Sequence, residues 1–125
     1  MKKLTAYQII NINKVVTEKF GGECRLLNYG LLEQSINSPF QTFDGKDLYE
    51  THYEKAAHFC YNLIKNHCFA DGNKRTALIA FLTFLELNDF PVHNQDWIIL
   101  YHLIYDVAKG KSNVDSIVTW LYYFN

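Results

Sequence analysis

The sequence has no surplus of charge of either sign. Its 125 residues carry 12 Lys and Arg against 13 Asp and Glu, which gives a formal net charge of −1, and the basic residues are scattered along the chain. Broad electrostatic binding of nucleic acid or of an anionic membrane requires a concentrated basic face. We therefore expect neither nucleic acid nor a membrane as a direct partner.

Cysteine is scarce, and long apolar runs are missing. The three cysteines, Cys24, Cys60 and Cys68, form no CxxC pair, which favours a reduced compartment over a disulfide framework. The Met-Lys-Lys start is not followed by the apolar region of a signal peptide, and no segment is long and uncharged enough to span a bilayer. The sequence predicts a cytoplasmic protein.

The composition is that of a folded chain with one core. Hydrophobic residues make up 49% of the sequence, with nine Phe and nine Tyr, and a chain of this length can bury a core without metals or disulfides. There is no internal repeat, low-complexity segment or linker. We expect a single domain over residues 1–125.

Apolar periodicity and capping residues predict an all-α fold. Ile9, Ile12, Val16 and Phe20 recur at helical spacing in a first helix that Thr5 caps. Asn28 is the predicted cap of a second helix, which ends before Pro39, and further helices are predicted at about 49–66, 73–88, 95–110 and 113–124, with Asn94 as the cap of the fifth. The segment at 73–88 has hardly any polar face, which is typical of a central buried helix.

One short segment does not fit the helical pattern. The stretch FQTFDGKDLY is rich in Phe, Thr and Tyr around Asp44-Gly45, and Asp-Gly is a dipeptide that favours the tight turn of a hairpin. The sequence therefore predicts a small β-hairpin flap before the third helix.

The segment NHCFADGNKRTAL, residues 66–78, places two cations at the start of the central helix. A helix N-terminus carries free N–H groups and the positive end of the helix dipole, so Lys74 and Arg75 are unfavourable there. A bound anion would remove this penalty. Gly72 allows close approach of the backbone and Asn73 adds a side-chain amide, which together favour a phosphate-sized nest.

An alternative interpretation needs no ligand. Asp71 can cap the helix while both cations point into water, and these residues alone leave the two interpretations open. A Walker loop is excluded, because the required first glycine is missing and a helix rather than a strand comes before the segment.

The same segment contains groups suited to phosphoryl or nucleotidyl transfer. His67 can accept a proton near neutral pH, and a carboxylate such as Asp71 beside phosphates is a usual ligand of Mg²⁺. A lone His67 would more simply bond to a carbonyl at a helix end. Phe69 is predicted to be a structural plug that holds the loop in the core. Cys68 has no neighbour that argues for a reactive thiolate.

The stretch HCFADGNKR, residues 67–75, resembles the signature of the Fic/Doc (fido) family, which is roughly HxFx(D/E/N)(A/G)N(G/K)R. The similarity extends over about residues 28–91 and is weaker in the two end helices. Lys74, in the eighth place, is similar to the death-on-curing (Doc) branch, whereas typical Fic proteins have glycine there.

The resemblance implies a compact fido-type helical bundle with a central buried helix and a flap. It implies that His67 is the catalytic general base and that Asp71 holds Mg²⁺. The implied sites for the phosphates of ATP are Gly72, Asn73, Lys74 and Arg75. The implied flap residues, which bind the target by strand addition, are Gln41, Thr42, Phe43 and Asp44.

The function implied by Lys74 is that of a Doc-like toxin of a toxin–antitoxin system. Such a protein transfers the γ-phosphate of ATP to a Ser or Thr hydroxyl of a translation protein, as Doc does to a threonine of elongation factor Tu. The alternative is a Fic-type adenylyltransferase, and a further alternative is a nucleotide-binding module without turnover. A plain helical interaction protein is the remaining hypothesis.

Two features of the sequence differ from common relatives. Many relatives have proline where this chain has Cys68, a change that removes no catalytic group. The family's inhibitory signature, Ser or Thr followed four places later by Glu, does not occur in the sequence. We therefore expect a separate antitoxin protein that covers the active-site groove.

Overall fold

Helices account for most of the residues that the computed structural model describes, which are 1–90, 92 and 97–124. The helices are α1 (Ala6–Phe20), α2 (Tyr29–Asn37), α3 (His52–Lys65), α4 (Asn73–Leu87), α5 (Trp97–Ala108) and α6 (Val114–Phe124). A 3₁₀ turn covers Ser38–Phe40, and two strands are β1 (Thr42–Phe43) and β2 (Lys46–Asp47). The predicted all-α fold with one hairpin is confirmed. The predicted cap Asn94 lies outside the described residues.

Side-chain caps determine where the first three helices begin. Thr5 and Gln8 form a reciprocal capping box at the start of α1, and the side chain of Asn28 caps α2 as predicted. Helix α3 begins at His52, three residues later than predicted, because the side chain of Thr51 accepts a hydrogen bond from the first turn.

Helix α4 lies at the centre of the fold, as predicted, and packs against α1, α3 and α5. Its Phe81 and Phe84 are fully buried, and the ring of Phe84 lies 4.9 Å from that of Phe59 on α3. Fully burying one such side chain contributes about 1.5–3 kcal/mol. The core therefore fixes α4, and with it the position of the α4 N-terminus. None of the described helices is both long and apolar enough to cross a membrane.

Some apolar positions, among them Ile79 and Phe20, are more exposed than their helical spacing predicts. Ile79 on α4 is 37% exposed, because α1 and α5 leave a groove open above it, so α4 is not covered on every side. Phe20 ends α1 and is 54% exposed. Its ring lies under the guanidinium of Arg75, whose Cζ is 4.4 Å from the ring centroid.

The predicted flap is a two-stranded antiparallel hairpin. Asp44 and Gly45 form its turn with φ values of 54° and 77°, and two positive φ angles are what a type I′ turn requires. The buried Lys55 of α3 anchors its base, because its ammonium group contacts Asp47 at 3.2 Å and also donates to the carbonyl of Tyr49. The flap is thus attached to α3 while its strands remain exposed.

Candidate active site

The loop between α3 and α4 carries the sequence motif. It begins with a sharp reversal at His67, whose φ of 47° lies in the left-handed region. A left-handed residue commonly follows the end of a helix, although a residue other than glycine is unusual there. The reversal leaves the side chain of His67 exposed at the rim of a cavity.

The middle of the loop is pinned to the core. Phe69, the predicted plug, is 2% exposed. Its backbone forms an isolated antiparallel bridge with Leu26, and the N–H of Leu27 donates to the carbonyl of Cys68 at 2.7 Å. The segment after α1 therefore holds the loop through backbone hydrogen bonds, which the sequence pattern did not indicate.

The side chain of Asn73 forms hydrogen bonds within the loop. Its Oδ1 accepts from the N–H of Phe69 at 3.1 Å, and its Nδ2 donates to the Phe69 carbonyl at 2.8 Å. The same Nδ2 lies 3.3 and 3.4 Å from the two ring nitrogens of His67. The side-chain amide therefore bonds within the loop and lies beside the imidazole, and its contact with phosphate stays a prediction.

Asp71 does not cap the central helix. Its Oδ2 accepts from the N–H of Glu23 at 2.7 Å, and the cap position belongs to Gly72, which has φ 75° and provides no side-chain cap. Among the described residues, the first turn of α4 thus has no side-chain acceptor for its free N–H groups. This uncapped turn is the geometry that binds anions.

Helix α1 holds this turn through hydrogen bonds and close packing. The buried Asn13 donates from Nδ2 to the carbonyl of Asp71 at 2.8 Å and to Oγ1 of Thr76 at 3.2 Å. A Cβ on Gly72 would lie 3.1 Å from Cγ1 of Val16. The glycine therefore satisfies both a left-handed backbone and close contact with α1.

Sequence reasoning missed Asn13 and Gly22 as parts of the site. A Cβ on Gly22 would lie 2.7 Å from the Cβ of Asp71, so only glycine allows this approach. Asn13 lies four residues after Ile9 and three before Val16, both of which are buried. The position of a polar residue within an apolar helical face was the signal that could have identified Asn13.

The two cations of the motif diverge. The Lys74 Nζ lies 5.3 Å from the ring centroid of Tyr105 on α5, whereas Arg75 stacks on Phe20 at the end of α1. No described carboxylate forms a salt bridge with either. Lys74 borders the cavity, and Arg75 lines a separate apolar groove. The two cations therefore contact different helices, and their contacts with the phosphates of a nucleotide stay a prediction.

One cavity of about 450 Å³ is lined by five of the predicted site residues. Its lining includes His67, Asp71, Gly72, Asn73 and Lys74 from the motif, with Lys65 from α3 and Ala108 from α5. The structure leaves Arg75 and the flap residues Gln41, Thr42, Phe43 and Asp44 outside this lining. The flap is consequently a separate feature of the surface.

The carboxylate of Asp71 fits a jointly held Mg²⁺. In the part of the chain that the structure describes, no group of three His, Cys, Asp or Glu residues could hold a metal by itself. Mg²⁺ is usually bound by one or two carboxylates together with phosphates and water. Because the Glu23 N–H engages only Oδ2, Oδ1 of Asp71 can serve as that protein ligand.

The thiol beside His67 is not suited to nucleophilic chemistry. Burial raises the pKa of Cys68, and a hydrogen bond with Ser35 opposes this only in part. The thiolate is the reactive form. This environment gives Cys68 no chemical feature of a catalytic thiol.

Residues 3–85 match the model of the Fic/DOC family. The chain is 38% identical over 108 residues to Toxin Doc of Mycolicibacterium smegmatis, covering 82% of this chain and 79% of that protein. The chain therefore belongs to the Fic/DOC family, which confirms the resemblance seen in the motif.

Replacing Gly72 with alanine tests the geometry of the uncapped turn. The left-handed backbone costs an L-residue about 1–2 kcal/mol, and the new Cβ also crowds Val16. We expect the free energy of unfolding, measured by urea denaturation, to fall by more than this backbone cost. Gly110→Ala is the matched control, since Gly110 has φ 78° and open space around its Cβ position. Equal losses in the two variants would contradict the packing role of Gly72.

Proposed function

We propose that this protein is a Doc-like toxin of a toxin–antitoxin system that transfers the γ-phosphate of ATP to a Ser or Thr hydroxyl of a translation protein. Membership of the Fic/DOC family and similarity to Toxin Doc support the class. The observation that carries the proposal is one cavity bordered by His67, Asp71, Lys74 and the uncapped turn of α4.

The phosphates of ATP would lie against the first turn of α4. The free N–H groups and the helix dipole attract an anion there, and Lys65 and Lys74 add two positive charges at the cavity. Asp71 is the carboxylate within the same lining, so a bare triphosphate would meet it unfavourably. Mg²⁺ between Asp71 and the phosphate oxygens removes this repulsion and neutralises charge on the phosphates.

His67 would act on the target hydroxyl. Its imidazole accepts the hydroxyl proton as the oxygen forms a bond to the γ-phosphorus, while the bond from that phosphorus to the β–γ bridging oxygen breaks and ADP leaves with the electron pair. The contact with Nδ2 of Asn73 limits the orientation of the ring. A positioned base is more effective than a freely rotating one.

The flap would hold the target segment. A two-stranded hairpin has edges that can pair with an extended peptide, and its Phe43 is 78% exposed. Lys55 and Asp47 attach the hairpin to α3, the helix that leads into the motif loop. A Ser or Thr on a strand paired with Gln41, Thr42, Phe43 and Asp44 is thus the proposed substrate, with an elongation factor Tu-like protein as the target.

Lys74 favours phosphate transfer over AMP transfer. The family's adenylyltransferase branch has glycine in this place, whereas here a lysine side chain reaches across the cavity rim to Tyr105 on α5. The cation takes space that glycine would leave for the nucleotide and provides a charge for the phosphates in another pose. A Fic-type adenylyltransferase is the second candidate, because the remaining motif residues serve either reaction.

Isotope labelling tests the proposed reaction. We expect a protein in a bacterial lysate to receive label from γ-labelled ATP in the presence of Mg²⁺, and His67→Ala to reduce the rate by about 10²- to 10⁴-fold. His102→Ala, at an exposed position on α5, serves as the control and should retain the wild-type rate. Label from the α-position would instead support adenylylation. Nucleotide binding without any labelled product would support a binding module.

Replacement of Lys74 by glycine tests the choice between the two reactions. We expect transfer from γ-labelled ATP to fall and transfer from α-labelled ATP to appear, because the variant removes the cation and opens the cavity. Lys74→Ala also removes the charge, but it keeps a Cβ and a less flexible backbone at this position. We expect this variant to lose γ-transfer without gaining α-transfer. If Lys74→Gly still transfers the γ-phosphate at the wild-type rate, the argument from Lys74 is wrong.

A separate antitoxin is the proposed partner. An apolar groove of about 420 Å³ lies beside the site, lined by Phe20, Leu78, Ile79, Trp97 and Tyr101 together with Arg75. A partner helix with an apolar face fits such a groove. Because Arg75 directly follows Lys74 on the first turn of α4, a partner seated there would lie at the edge of the nucleotide cavity and could cover it.

A charged substitution in the groove tests whether the partner docks there. We expect the DNA beside the gene to encode a small co-transcribed protein that binds this chain and relieves its toxicity. Ile79→Glu should weaken that binding in titration calorimetry and abolish the rescue of growth. Ile98→Glu is the matched control, since Ile98 is 50% exposed on α5 but does not line the groove. Equal binding by both variants would refute the groove as the docking site.

A further inference from the structure

Asn13 is a fully buried polar residue in the middle of α1 and lies outside the sequence motif. Its exposed fraction is 0%, and both neighbours on the same helical face, Ile9 and Val16, are buried and apolar. Burial of an amide among apolar side chains is unfavourable unless its hydrogen bonds are satisfied. The contacts of Asn13 therefore indicate why a polar side chain is present here.

The amide of Asn13 connects the two sides of the phosphate-binding turn. Nδ2 donates to the carbonyl of Asp71 on the loop side and to Oγ1 of Thr76 on the helix side. Between them, a Cβ on Gly72 would lie 3.4 Å from this nitrogen. One side chain on α1 thus bonds to the residue before the left-handed glycine and to the first turn after it, and lies beside the glycine.

The other polar atom of Asn13 argues against a role in stability alone. Its Oδ1 is buried and has no hydrogen-bond partner among the described residues. An unsatisfied buried acceptor carries a desolvation cost that an apolar side chain of similar shape avoids. A residue chosen only to pack α1 against α4 would not need to bear this cost.

We propose that Asn13 is a positioning residue for the nucleotide and metal site, an inference that rests on the proposed function. By holding the Asp71 carbonyl and Thr76, it sets the direction of the free N–H groups of Asn73 and Lys74. It also fixes the backbone of Asp71, while the Glu23 N–H fixes the carboxylate. Asp71 is consequently held at both ends before any ligand arrives, which lowers the ordering cost of binding.

Hydrogen exchange in the ligand-free protein provides the first test. Asn13→Leu removes both donated bonds and replaces the amide with an apolar side chain of similar size. We expect faster exchange of the amides at residues 70–76, with unchanged protection in α3 and α6. Asn11→Leu, an exposed position on the same helix, is the control and should leave residues 70–76 unchanged. Unchanged exchange at 70–76 in Asn13→Leu, or an equal loss of protection throughout the chain, would overturn the proposal.

Nucleotide affinity provides the second test. Titration calorimetry with ATP and Mg²⁺ should show about ten- to hundredfold weaker binding for Asn13→Leu, the range expected when a partner of a metal ligand is removed. The loss should be smaller for ATP without Mg²⁺, because Asp71 then contributes no metal bond. Wild-type affinity in the variant would contradict the positioning role.

A second variant keeps the proposal testable if Asn13→Leu does not fold. Thr76→Val is isosteric and removes only the acceptor on the helix side, so we expect faster exchange of the first α4 amides and a smaller loss of Mg²⁺–ATP affinity. Failure of both effects would refute the role. If wild-type protein itself binds no ATP, the proposed function fails, while the exchange measurement still decides whether Asn13 orders the turn.

Discussion

The site depends on keeping the first turn of α4 uncapped at the edge of a cavity. A helix start normally receives a side-chain acceptor, yet here Gly72 occupies the cap position and Asp71 bonds to Glu23 instead. The rest of the local structure compensates for this missing cap. The Leu26–Phe69 bridge holds the loop, and α1 supports the turn from below. Free N–H groups are thereby kept available without loss of the helix start.

Local signals were sufficient to predict much of the fold. The hairpin turn at Asp44-Gly45, the caps at Thr5 and Asn28, and the central helix each follow from short-range chemistry, and the structure confirms them. The motif loop was predictable for the same reason, since its residues are contiguous. The roles of Asn13 and Gly22 depend on how α1 and its following segment approach the loop in three dimensions. Periodicity alone contains no information on that approach.

The structure also divides functions that the motif presents as a single cluster. Asn73 uses its side chain to bind the loop backbone, which leaves its main-chain N–H as a group without an intrahelical partner. Lys74 reaches toward α5 and Arg75 toward the end of α1, because consecutive helical residues point about 100° apart. The two adjacent cations therefore contact different helices in this structure.

This divergence links the cavity to the neighbouring groove. Arg75 lies on Phe20, at the point where the polar turn of α4 meets apolar side chains of α1 and α5. The groove is open because α1 and α5 leave Ile79 uncovered, and an exposed apolar patch of this kind commonly marks an interaction site. A partner in the groove would gain apolar burial and reach a cation on the first turn of α4. Inhibition by such a partner would thus require no change in the fold, only occupation of a surface that the core packing already leaves free.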